Sequence, residues 1–320
     1  MYALPVLLSG LGSLVMSALE IRTIHTHYKN TLRSLLKLPR DVPEPVLFFL
    51  AGSLPVEAYL HMRVLSLFSM ICHLPGNPLH SIAKEALTKA RPSSKSWFYM
   101  LRGVCIKYNL PHPLNLLTSP LPPKKLKAMY KARIKEYWRI NLTERCSSLS
   151  SLRYLRPPFL SLSQPHPIFS SLMGNPYELR AASVQALLLC GRYRTEKLRR
   201  HWSENREGFC QIKECLYLKQ IESQEHFLLH CGGYSDERRR LYSFITDFSA
   251  DKPVLKNVLS TYLFTDDNEF RMQFLLDPSV LPDVISACQL FGDQIQQYCF
   301  KIGRTWCRTL HETRMRKLAL

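Results

Sequence analysis

Residues 18–37 read ALEIRTIHTHYKNTLRSLLK, and the order of apolar and polar side chains in this stretch decides the fold class. Ile21, Ile24, Tyr28, Leu32 and Leu35 recur three or four residues apart. That is the period of one face of an α-helix, whereas a half-buried strand would alternate at two. Lys29, Arg33 and Lys37 fall on another face. Just upstream, Ser17 and Glu20 form a capping-box pair, in which hydroxyl and carboxylate each satisfy the other residue's backbone amide, and Met16 and Ile21 stand where a hydrophobic staple packs. Pro39, Pro43 and Pro45 are expected to end this helix.

Outward from there, the same period predicts helices from Pro55 to Cys72, over 79–89 and 96–108, from Lys124 to Leu142, and from Asp293 to Lys317. Asn175-Pro176-Tyr177-Glu178 reads as a cap, a first-turn proline and a glutamate reaching back, with Gly191 closing or kinking that helix. Proline-rich stretches at 111–123 and 157–167 are expected to be linkers. The predicted fold is mainly α: a helical domain over 1–110, a basic helix between proline-rich linkers over 111–170, a helix plus a small zinc module over 171–245, and C-terminal helices over 246–320.

Of the 320 residues, 46% are hydrophobic and 11% aromatic, which excludes wholesale disorder. The net charge of +18 is uneven: residues 1–206 hold 29 basic against 10 acidic side chains, residues 207–299 hold 8 against 14, and residues 300–320 hold 6 against 1. A long cationic body suits a polyphosphate partner, because each neutralised phosphate releases counterions. Ten cysteines in a chain this long are too sparse for a secreted disulfide scaffold. Cys72, Cys105, Cys190, Cys288, Cys299 and Cys307 read as small hydrophobes. A reducing location, cytoplasmic and nuclear, is expected. The uncharged first 19 residues lack a basic leader and are broken by Pro5, Gly10 and Gly12, so neither secretion nor membrane insertion is expected, and the sequon Asn141-Leu142-Thr143 reads as accidental.

The sharpest pattern is Cys210-x4-Cys215-x10-His226-x4-Cys231. Zinc takes four such donors in a tetrahedron, commonly two from a tight loop and two from a following helix. Four protein ligands leave no open position, so the expected zinc is structural. His230, four residues after His226, is the alternative fourth ligand, since both imidazoles would share a helix face.

Two cationic stretches are candidate phosphate contacts. Lys124, Lys127, Lys131 and Lys135 recur at helical spacing with Arg139 beyond them, beside a stripe of Leu126, Tyr130, Arg133 and Tyr137, with Trp138 next to it. Those aromatics read as core and the cations as contacts to RNA or DNA. The second stretch, Arg192, Arg194, Lys197, Arg199 and Arg200, runs toward the metal loop. Arg304, Arg308, Arg314, Arg316 and Lys317 are weaker candidates.

No P-loop, GxSxG or HExxH pattern occurs, and no small-molecule site is evident. Phe264-Thr265-Asp266-Asp267 imitates the paired-carboxylate turn of polymerase palms but reads as a loop between helices, so no catalytic residue is expected.

Three stretches resemble the C-terminal third of reverse transcriptases from non-LTR (LINE-type) retrotransposons. Leu4 to Gly10, the helix 18–38 and Leu50 to Ala58 are similar to the helical thumb; Gly191-Arg192-Tyr193-Arg194-Thr195-Glu196 to Trp202 resembles the segment before the knuckle; Cys210, Cys215, His226 and Cys231, followed by Glu237-Arg238-Arg239, look like the C-terminal zinc knuckle. The likeness covers about residues 4–245. It implies gripping of template–primer or target nucleic acid without polymerase chemistry, because fingers, palm and endonuclease have no counterpart in these residues. The competing expectation is a helical protein–protein interaction module braced by zinc.

Overall fold

The computed structural model describes residues 8, 10–89, 96–156, 161–172, 176–200 and 207–319. The expectations for Leu4 to Leu7, Ser9, Asn175, His201 and Trp202, and part of the 157–167 stretch, lie outside these residues. The described chain is mainly helical, as its periodicity predicts. In order come α1 (Ala18–Leu35), α2 (Glu44–Ala51), α3 (Val56–Cys72), α4 (Pro78–Lys89), α5 (Trp97–Lys107), α6 (Pro113–Thr118) and α7 (Pro123–Ser147). Then follow α8 (Pro167–Ser170), α9 (Pro176–Leu189), α10 (Glu196–Arg199), α11 (Lys213–Leu216) and α12 (Ser235–Ser249). The last are α13 (Pro253–Tyr262), α14 (Asn268–Leu276), α15 (Pro282–Phe291) and α16 (Gln294–Leu318).

The capping box forms: Ser17 N–H donates to Glu20 Oε2 at 2.7 Å, and Glu20 N–H donates to Ser17 Oγ at 3.3 Å. Met16, Ile21, Ile24 and Tyr28 pack on Leu8, Val56 and Leu60, so the staple and the helical stripe close one apolar cluster. Reading proline only as a stop misses two helices. Pro45 sits in the first turn of α2 and Pro113 in that of α6, where a fixed φ and a missing N–H cost nothing. The 111–123 stretch is therefore not an extended linker: it holds α6, capped by the His112 side chain, with Pro113, Leu116 and Leu117 buried. His166 likewise caps α8 inside the second proline stretch.

The chain forms two compact units, Met1–Thr31 with Ser53–Glu144, and Leu32–Gly52 with Arg145–Leu320. Residues 32–52 belong with the second unit, where Leu50 C=O accepts from His166 N–H at 3.0 Å and Leu36 C=O from Ser183 Oγ at 2.8 Å. Among the described residues no single helix is long and apolar enough to cross a bilayer; α2 and α3 reach that composition only when taken together. Cys72, Cys105, Cys146, Cys190, Cys299 and Cys307 are buried free thiols, with Cys288 half-buried. Burial pushes Cys72 up to about 11 and Cys105 up to about 12, which keeps both protonated and inert.

The second unit is built around α16, which buries Phe300, Ile302, Trp306, Cys307 and Leu310. α9 and α14 cross it at Gly303, where an added Cβ would lie 2.5 Å from Leu275 O and 2.6 Å from Gln185 Nε2. Only glycine admits that approach, and Gln185 Nε2 uses it to donate to Leu275 O at 2.7 Å. A buried histidine–aspartate contact braces the same core: His166 Nδ1 accepts from Ile168 N–H, which leaves its Nε2 facing Asp277 Oδ2 at 3.4 Å.

In the first unit, Trp138 Nε1 donates to Tyr108 Oη at 3.2 Å, leaving the Tyr108 proton for His61 Nδ1 at 2.8 Å. This arrangement needs a neutral imidazole. Burial, with Lys107 nearby and Glu57 opposing, pushes His61 down to about 4. The unfolded chain binds this proton near pH 6.5, the folded chain only near 4. Stability from His61 is thus full above about pH 6.5 and falls as pH drops toward 4, by up to about 3 kcal/mol. Urea midpoints followed by tryptophan fluorescence should fall across that window, and His61→Gln should flatten the fall; a wild-type midpoint constant from pH 7 to pH 4 would refute the assignment.

Candidate metal centre

Residues 208–222 form a short antiparallel hairpin. Cys210 N–H donates to Gln220 O at 2.8 Å and Glu222 N–H to Gly208 O at 3.0 Å, around a Phe209–Ile221 bridge. Cys210 lies on the outgoing arm, and Cys215 on the single turn α11, its amide bonded to Ile212 O at 2.9 Å.

The second pair of donors comes from a wider turn than predicted. His226–His230 is one π-helical turn, closed by Cys231 N–H donating to His226 O at 2.7 Å. In an α-helix, residues five apart diverge by about 140° around the axis. Widening the turn to an i→i+5 bond brings His226 and Cys231 to one side. His230 is carried away: it is exposed, with Nε2 at 3.0 Å from Asn268 Nδ2 and 3.6 Å from Glu225. The structure brings Cys231, not His230, to the other three.

One donor atom from each of Cys210, Cys215, His226 and Cys231 lies within 4.8 Å of all the others, and all four residues are buried. Cys231 Sγ stands 3.5 Å from Cys215 Sγ and 3.8 Å from Cys210 Sγ, and none of the three is in a disulfide. His226 Nε2 is buried without a hydrogen-bond partner, a cost that a ligand bond would remove. The Cys231 thiol, aided by His226, holds Cys210 well below the usual thiol range, at about 4; the same contact pushes Cys231 up. This Cys3His cluster could hold a metal ion.

Its supports come from distant parts of the chain. Phe227 stacks on Tyr193 at 4.9 Å and meets Tyr234 edge-on at 5.6 Å, while Trp306 Nε1 donates to Leu228 O at 3.2 Å. Arg238 Nη2 donates to Cys231 O at 2.6 Å, so the buried arginine of Glu237-Arg238-Arg239 steadies the fourth donor's backbone. At Gly233 an added Cβ would meet Ile212 Cγ2 at 2.2 Å, which closes the donor loop against the hairpin. Beneath the hairpin, Glu222 forks onto Arg314 at 2.9 and 3.0 Å and also accepts from Glu196 N–H at 2.6 Å. Neither Glu222 nor Arg314 carries a motif, and their 92-residue separation hides the pair from sequence reasoning.

The stretch before the hairpin divides by burial. Tyr193, Thr195 and Glu196 are buried, and Thr195 caps α10; Arg194, Lys197 and Arg200 face solvent. Lys197 Cα and Arg200 Cδ each stand 3.4 Å from where a Cβ on Gly208 would lie, so this cationic face adjoins the hairpin base. Arg192 is half-buried, and Arg199 is held by Glu196 at 2.8 Å. In the first unit, Lys124, Lys127 and Lys131 on α7 are exposed, Lys135 is half-buried, and Arg139 pairs with Glu136 at 2.8 Å. The buried stripe of α7 is Leu126, Tyr130, Ile134, Trp138 and Leu142; Arg133 is exposed and Tyr137 half-buried, because an apolar stripe steps by four here.

Four of the C-terminal cations pair with internal acids, while Arg316 is exposed and donates to Thr313 Oγ1 at 3.0 Å. Arg304 and Arg308 lie 3.2 and 3.6 Å from Glu178, Lys317 lies 2.8 Å from Glu214, and Arg314 is the buried partner of Glu222. Asp267, in the palm-like turn, caps α14 by accepting from Glu269 and Phe270 amides at 2.7 and 3.1 Å.

Removing one partner of a buried pair leaves the other charge uncompensated. Arg314→Met and Glu222→Gln should each lower unfolding free energy by about 3–5 kcal/mol, with the double variant costing less than their sum by more than about 1 kcal/mol. Guanidinium titrations checking for that non-additivity decide it; strictly additive losses would mean the two side chains act apart. No protein-family model matches this chain, and neither the curated proteins nor the solved structures contain a match.

Proposed function

We propose that this chain is a nucleic-acid-binding part of a LINE-type reverse transcriptase, holding template–primer or target RNA or DNA beside a structural zinc ion and performing no chemistry itself. The observation that carries this is the division of residues 193–200. Side chains that fasten the stretch to the metal centre are buried, and the cations beside them, Arg194, Lys197 and Arg200, are presented outward. Cations fixed on a braced scaffold lose little further freedom when phosphates bind. Lys124, Lys127 and Lys131 offer a second exposed row on α7.

Zinc suits the donors. Sulfurs sharing a tetrahedral zinc with bonds of about 2.3 Å stand about 3.8 Å apart, and the sulfur separations here are 3.5 and 3.8 Å. Cys210, Cys215, His226 and Cys231 would hold the ion and so fold a segment otherwise short of core. The purified chain is expected to carry one zinc by mass spectrometry under native conditions. His230→Ala should keep it and Cys231→Ala should lose it; the reverse result overturns the ligand set.

The nucleic-acid reading is tested by the salt dependence of oligonucleotide affinity. Each phosphate contact contributes about 0.7–0.9 to the log–log slope. Neutralising Arg194, Lys197 and Arg200 together to Gln should flatten it by about 2–3. Affinity independent of salt, or a slope unchanged by these substitutions, favours the protein-interaction module.

A further inference from the structure

The tip of the hairpin displays side chains that the metal centre does not use. Tyr217 is 85% exposed and Leu218 66%, while Ile221, on the returning arm opposite Phe209, is 49% exposed. The tip is nevertheless held firmly. Leu218 N–H donates to Cys215 O at 3.1 Å on one side, and Gln220 O accepts from Cys210 N–H at 2.8 Å on the other. A ring two residues from one candidate ligand is thus held in solvent by backbone bonds to that ligand and to another.

Its surroundings are cationic. Lys213, four residues before Tyr217, and Lys219, two after it, are both exposed. The nearby acids are already engaged, Glu214 with Lys317 at 2.8 Å and Glu222 with Arg314 at 2.9 Å. Three apolar side chains make too small a patch for a stable protein interface, which buries upward of about 1,000 Å². A planar base beside a phosphate fits an aromatic ring flanked by lysines.

We infer that Tyr217, backed by Leu218, is a stacking platform for unpaired bases, and that the nucleic acid held at the hairpin is single-stranded there. Paired bases are stacked on their neighbours and offer no free face to the ring, so a duplex gains only the phosphate contacts of Lys213 and Lys219. The inference rests on the nucleic-acid reading above and narrows it to an unpaired strand.

The test uses the full chain and labelled oligonucleotides of about 20 nucleotides, single-stranded RNA, single-stranded DNA and duplex, read by fluorescence anisotropy at several salt concentrations. Tyr217→Ala should weaken single-strand binding about 5- to 100-fold with the salt slope unchanged, and shift duplex affinity less than about twofold. Tyr217→Trp should restore single-strand affinity. An equal loss on single strand and duplex, or no loss on single strand, overturns the platform. Wild-type binding that is salt-dependent yet indifferent to Tyr217 sinks this inference alone, whereas absence of any salt-dependent binding sinks the broader reading with it. Since Tyr217 is exposed, bound metal per chain should stay constant across the variants, and a variant that loses metal is replaced in the comparison by Tyr217→Ser.

Discussion

A guanidinium and a carboxylate shut away from water, Arg314 and Glu222, hold together three segments that the chain itself keeps far apart. Glu222 ends the returning arm of the hairpin, Arg314 lies near the end of α16, and Glu196 begins α10 and adds its amide to the same carboxylate. Two ions cost a great deal to desolvate, and only geometry this complete offsets the cost. The benefit is directional: the fork admits one orientation of hairpin against helix. The Arg314 guanidinium also lies over the Tyr193 ring at 5.7 Å, and that ring stacks on Phe227, the neighbour of His226.

Charge is therefore used in two ways in this protein. Near the C-terminus, arginines and lysines are matched to acids and contribute to the fold: Arg304 to Glu178, Arg314 to Glu222, Lys317 to Glu214. Along α7 and in the stretch running into α10, cations such as Lys124, Lys131, Arg194 and Lys197 stand exposed. The overall excess of +18 sums both populations, but only the exposed one is available to an external phosphate.

Amphipathic helices were legible because a period of 3.6 survives any tertiary arrangement, as Ile21, Ile24 and Tyr28 illustrate. The helices at Glu44–Ala51 and Pro113–Thr118 were not, since one residue type both stops a helix and starts one, and local sequence alone does not choose. The donors Cys210, Cys215 and His226 were legible from spacing. The choice between His230 and Cys231 was not, because it depends on a turn one residue wider than an α-helix. Arg238 stood in the Glu237-Arg238-Arg239 run without a role, Arg314 read only as one of several C-terminal cations, and Glu222 bore no local mark; their pairing exists only once the chain is folded.

The interleaving of the two units has a consequence for biosynthesis. Val46 to Leu50 is an entirely buried apolar run, yet its unit is completed by residues 145–320. At ribosomal rates of about 5–20 residues per second, that run leaves the ribosome some ten seconds or more before its packing partners exist. During that interval it is a sticky nascent segment, and a chain interrupted early would carry it uncovered.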